Sequence, residues 1–97
     1  MIVYNTTFGI EASANKAWIE FMKTEFIPLM QTQLQEVRLC KILTSNQDGL
    51  TSYALHSVGV NEGAIIYWQT KERILLKAIR TQFGEQVLWF STMMEEI

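Results

Sequence analysis

Cys40 and His56 are the single cysteine and the single histidine of a 97-residue chain. A thiol beside an imidazole is a compact nucleophile–base pair. A hairpin loop of three or five residues between their strands sets the two directly opposite, whereas a loop of two or four sends them to different faces. The plainer reading of Cys40 is a small buried hydrophobe. Asn5, His56 and the indole of Trp68 form a second set, since an amide, an imidazole and an indole N–H converging on a cavity can orient a small ligand. Against that stands a reading of core aromatics beside a sheet-facing Asn5. One His and one Cys cannot build a Cys/His zinc site, and no acidic pair falls in an oxygen-ligand loop pattern. The five glycines are dispersed, so no phosphate loop is present. No metal and no cofactor is expected, and Glu95-Glu96 reads as a solvated tail.

The elements that would position these residues are legible in the hydropathy pattern. Ile2 to Ile10 alternates, with Ile2, Tyr4, Thr6, Phe8 and Ile10 on one face and Val3, Asn5, Thr7 and Gly9 on the other. Ser13 or Asn15 can cap a following helix, whose face carries Ala14, Ala17, Trp18, Phe21 and Met22 with Glu25 as an acidic interruption. Pro28 predicts an end or kink near Phe26 and a short second helix through Leu29, Met30 and Leu34. Glu36 to Thr44 reads as a second strand, with Val37, Leu39 and Leu43 on one face and Cys40 and Ile42 on the other. Ser45-Asn46-Gln47-Asp48-Gly49 is a turn cluster, and Leu50 to Val60 returns as strand three. Asn61 is a good cap for a helix over Glu62 to Phe83, with a break expected where the apolar register weakens, Gln69 to Arg73. Gly84 suits the helix end, and Gln86 to Met94 is the last strand.

The order β-α-β-β-α-β predicts an α+β, ferredoxin-like domain over residues 1–97: a four-stranded antiparallel sheet in the order 4-1-3-2, with both helices on one face. Strands two and four are then the edges, yet both read as apolar on both sides. Long apolar edges invite association unless covered, and a second copy packed sheet against sheet covers them. The composition agrees. Hydrophobic residues make up 48% of the chain, a high share for the modest interior that a domain of this length encloses. The charge balance, eight Lys and Arg against ten Asp and Glu, speaks against a nucleic-acid partner. Arg73, Lys77 and Arg80 share a helical face, but so short a stripe reads as solvated. No apolar run approaches the ~18 residues of a membrane span. With one cysteine and no basic segment at the N-terminus, the expected compartment is the cytoplasm.

Several stretches together resemble a family. They are the opening Met1-Ile2-Val3-Tyr4-Asn5, the helix text Trp18-Ile19-Glu20-Phe21-Met22-Lys23 with Ile27-Pro28, the strand Ser52-Tyr53-Ala54-Leu55, and the ending Phe83-Gly84 with Phe90-Ser91-Thr92-Met93-Met94-Glu95. The family is an uncharacterised bacterial one of about this length, and the resemblance implies a dimeric α+β barrel, the architecture of the antibiotic-biosynthesis monooxygenase superfamily. The family pattern has His before Ile-Pro, where this chain has Phe26, and Thr-Gly where it has Thr32-Gln33. Haem-degrading members of that superfamily combine an Asn, a Trp and an iron-ligating His on the second helix. Asn5 and Trp68 imitate the first two, but Glu62 to Phe83 contains no His, so the axial ligand is missing. Cofactor-independent quinone-forming members use Asn, Trp and Tyr around a flat aromatic substrate, types that Asn5, Trp68 and Tyr53 or Tyr67 supply. Fold does not imply function.

These readings converge on a cytoplasmic homodimer: a small binding or assembly module with a cavity for an apolar ligand between its sheets. The alternative is a cofactor-independent monooxygenase or isomerase acting on a small aromatic compound. Asn5, His56 and Trp68 are the expected cavity residues, and Val87, Trp89 and Met93 the expected dimer contacts.

Overall fold

A computed structural model describes residues 1–44 and 49–97. The expected turn cluster lies outside them except for Gly49, which adopts φ +77°, the left-handed conformation for which glycine is suited. Strand β1 (Ile2–Glu11) runs into helix α1 (Ala12–Phe21), which continues through a π-helical turn, Met22–Phe26, into α2 (Ile27–Met30). Strands β2 (Gln35–Lys41) and β3 (Leu50–Gly59) follow, then α3 (Glu62–Phe83) and β4 (Val87–Glu95). The sheet order is β2-β3-β1-β4, antiparallel throughout. This is the ferredoxin-like arrangement, with β2 and β4 at the edges as expected.

One side of the sheet carries the core. Tyr4, Phe8 and Ile10 of β1, Tyr53 and Leu55 of β3 and Val87 of β4 pack against Trp18, Met22, Phe26, Ile65, Trp68 and Ile79 of the helices. Phe8 stands at the centre, its ring 5.0 Å from Trp18, 6.3 Å from Phe26 and 6.4 Å from Trp89. The buried residues Trp18, Met22, Phe26 and Met30 are spaced by four. In an ordinary α-helix each such step turns the face by about 40°, which would carry Met30 away from the core. The wide π turn removes that drift. Pro28 explains its location, because a proline cannot donate the bond that would close an ordinary turn, and the Ile27 amide reaches back five residues to the Met22 carbonyl. The kink expected near Phe26 is therefore a π turn in one continuous helical segment.

Two further expectations are corrected. Helix α1 starts at Ala12, so Ser13 and Asn15 lie inside it; Ser13 Oγ accepts from Gln86 Nε2 (2.8 Å) and Asn15 Oδ1 accepts from the Tyr53 hydroxyl (2.7 Å). No break interrupts α3 at Gln69–Arg73. The residue that spoils the apolar period there is Glu72, which faces the core.

Asn61 caps α3 as expected, its Oδ1 accepting the Ala64 amide at 3.0 Å. Gly84 ends the helix at φ +59°, which a side chain would strain. Replacing Asn61 with alanine is expected to cost about 1 kcal/mol, seen as a thermal midpoint lowered by about 4–8 °C. An unchanged midpoint in a thermal melt followed by circular dichroism would show the cap to be dispensable.

Candidate functional site

The face of the sheet turned away from the helices is uncovered, and its side chains line up in rows across the strands. Asn5 of β1 lies opposite His56 of β3 on one side and Thr92 of β4 on the other. His56 in turn lies opposite Arg38 of β2, so Thr92, Asn5, His56 and Arg38 form one polar row across all four strands. The next row holds Phe90, Thr7, Ala54 and Cys40. Within these rows the Asn5 amide donates to Thr7 Oγ1 at 3.2 Å.

Arg38 owes its place to an irregularity in β2. Gln35 pairs with Val58 but Arg38 pairs with His56, so one extra residue is accommodated between them. Glu36 there has φ +50°, a left-handed conformation that costs a non-glycine residue about 1–2 kcal/mol. Without that bulge Val37 would stand opposite His56, because a one-residue slip exchanges the faces of a strand. With it, Val37 and Leu39 join the core and Arg38 takes its position beside His56. The guanidinium Nη2 meets Glu36 Oε1 at 3.4 Å, both side chains being largely exposed, where such pairs contribute little.

One end of this face is hollowed into a cleft of about 240 Å³. Gly9 and Ser52 lie on its floor, opposite each other in the register, and Leu88 and Phe90 form its wall. Gly9 contributes no side chain, which leaves the hollow open. Leu88 is 48% exposed, Phe90 64% and Met94 45%, an apolar stripe along the outer side of edge strand β4.

The structure thus brings Asn5 and His56 together and separates Trp68 from them. Trp68 is fully buried on the helix side of the sheet. The expected dimer contacts fall on that side too. Val87 lies in the core, and Trp89 packs against it beneath the Arg80 guanidinium, 4.5 Å from the ring centroid. Met93 pairs with Tyr4 and shares its face. The strand alternation explains the reversal: on β4 the outward set is Leu88, Phe90, Thr92 and Met94. β4 does carry apolar residues on both sides, but the outer side of β2 presents Arg38 and Cys40 instead. Cys40 is exposed and pairs with Ala54, so it shares a face with His56 diagonally, one pair out of direct register.

A second cluster sits inside the core, and sequence reasoning missed it. Glu72 of α3, 3% exposed, accepts the Tyr4 hydroxyl at Oε1 (2.6 Å) and the Trp68 indole N–H at Oε2 (3.2 Å). Burial pushes the Glu72 carboxyl above the usual carboxylate range, with the bonds from Tyr4 and Trp68 pulling the other way. The Tyr4 phenol is likewise raised, by burial first and then by its bond to Glu72. The signal was present: Ile65, Trp68, Glu72, Ile79 and Phe83 keep one helical stripe, and an acid on a buried stripe requires donors. Nearly closed off from solvent, Glu72 is a hydrogen-bonded acid of the core.

A family model described as a domain of unknown function (DUF4286) matches residues 1–97. The chain belongs to this family. No curated protein matches the chain. Among solved structures, a dimeric ferredoxin-like protein from an uncultured marine organism superposes with a TM-score of 0.60 at 6% identity, covering 99% of this chain and 97% of that one. At that identity the likeness concerns the fold, and this DUF4286 domain shares it over its whole length. Among its described residues, no helix is long and apolar enough to cross a membrane, and no group of three or more His, Cys, Asp or Glu is placed to hold a metal ion.

Proposed function

We propose that this DUF4286 domain is a homodimeric binding or assembly module, built as a dimeric α+β barrel, that closes its uncovered sheet face against a second copy and keeps a ligand cavity between the sheets. The observation that carries this reading is the outward stripe of Leu88, Phe90 and Met94 on an edge strand. Exposed apolar side chains in line along an edge strand favour association, and a self-complementary face is met by a two-fold copy of itself. The solved neighbour described as dimeric supports the same assembly. The lone exposed Cys40 suits a reducing compartment such as the cytoplasm.

Light scattering at micromolar concentration is expected to give twice the 11.2 kDa of one chain. The double variant Leu88→Glu, Phe90→Glu places like charges on the stripe of both copies and is expected to yield a monomer with unchanged far-ultraviolet circular dichroism. A wild-type protein that stays monomeric across the micromolar range would defeat the proposal.

A further inference from the structure

We infer that the uncovered face binds a small amphipathic carboxylate, its head on the row Asn5, His56 and Arg38 and its apolar body running along β1 and β3 into the cleft over Gly9. The inference rests on the dimer reading for its enclosure. The Asn5 amide already donates to Thr7 and the Arg38 guanidinium to Glu36, but each has further N–H groups. A second sheet laid over this face takes these and the His56 imidazole out of water, where donors without acceptors are costly. A carboxylate supplies two acceptor oxygens at the centre of that row, with its charge matched to the arginine.

The spacing selects the class further. The polar row lies two residues from Thr7 and four from Gly9, so head and cleft are separated by about 13 Å along the strands. Thr7 and Ala54 pave the intervening floor with small side chains, and Phe90 beside Thr7 and Leu88 beside Gly9 form an apolar wall along it. A compact inorganic anion would use the head site alone, and a neutral hydrocarbon the cleft alone. A medium-chain fatty acid spans both. The bulge at Glu36 belongs to the same argument, because a strained residue there is what exchanges Val37 for Arg38 beside His56, and bulges of this kind re-aim side chains at sites.

Decanoate is the probe, with 1-decanol as its uncharged counterpart, titrated into the full chain and followed by amide chemical shifts and calorimetry. Decanoate is expected to shift the amides of Asn5, Thr7 and His56 and to bind at least tenfold more tightly than decanol. Arg38→Gln and His56→Gln, both at surface positions, are expected each to weaken decanoate at least tenfold and to leave decanol unchanged, while Arg38→Lys retains part of the affinity. Uptake of decanoate that is indifferent to both variants, or shifts confined to the helices, would overturn the site. Light scattering on the same samples separates the two readings. A dimer that takes up no decanoate overturns the carboxylate site and leaves the assembly standing, whereas a monomer without uptake overturns both. A monomer showing the expected shifts and losses upholds the site and removes only its enclosure.

Discussion

Glu72→Ala is expected to destabilise the protein by about 3 kcal/mol at neutral pH, measured by urea denaturation. The Tyr4 hydroxyl and the Trp68 indole N–H both donate to that carboxylate inside the core. Removing the acceptor leaves two buried donors, each worth about 1–3 kcal/mol when unsatisfied, beside a new cavity. Some of this loss is offset, because burying a carboxyl group is itself costly. Glu72→Gln is the informative companion, since it keeps the shape and an acceptor oxygen but cannot titrate.

The pH dependence follows from the direction of the shift. In the folded protein Glu72 holds its proton to a higher pH than an unfolded glutamate, whose value is about 4.3. Between those two values the folded state binds more protons than the unfolded one, so this residue's contribution falls as pH rises. It is complete below the unfolded value and lost as pH rises through the folded one. The difference in stability between wild type and Glu72→Gln is therefore expected to move in favour of the glutamine variant as pH rises from about 4 towards neutrality. Equal slopes for the two proteins would show that Glu72 titrates as an ordinary surface carboxylate does.

Phe8→Ala carries the other large effect, about 3–5 kcal/mol. Phe8 is fully buried at the point where the first helical segment and β4 meet, with Trp18, Phe26 and Trp89 around its ring. Nothing nearby can collapse into the space without dragging an indole from its place. Small domains have about 5–15 kcal/mol in all, so the thermal midpoint should fall by about 15 °C or more. Phe8→Leu, which retains most of the volume, is expected to lose less than half as much. Protein concentration must be held constant across the series, because association adds to apparent stability. An alanine variant within about 1 kcal/mol of wild type would mean that the aromatic cluster repacks freely.

Most of the architecture was legible because it rests on local chemistry. Alternation over Ile2–Ile10 marked β1 and assigned its two faces, Asn61 and Gly84 bracketed α3, and Pro28 located the irregular helical turn. The order of elements then left one common sheet topology. The candidate site was legible in part. Asn5 and His56 stand out in the sequence as chemistry-bearing residues, but Trp68 groups with them there, because helical periodicity says that an indole is on the inner stripe without saying which sheet face that stripe covers. Arg38 does not stand out, because a bulge changes a strand's register without a mark in its sequence. Glu72 registered only as a fault in a helical pattern, when it was a buried acid whose donors lie four residues earlier and 68 residues away.

The sequence by itself determined the elements, their order, the edge positions of β2 and β4, and a surplus of apolar residues on the last strand. These depend on backbone preference and on patterns a few residues long. Only the tertiary structure decided which side of each edge strand faces outward. It gave Leu88, Phe90 and Met94 to the open face and drew Val87 and Trp89 inward. It also decided that Asn5, His56 and Arg38 share one row. Both decisions follow from pairing register, where a single residue's shift exchanges every side chain between core and surface, and register is settled between strands far apart in the chain.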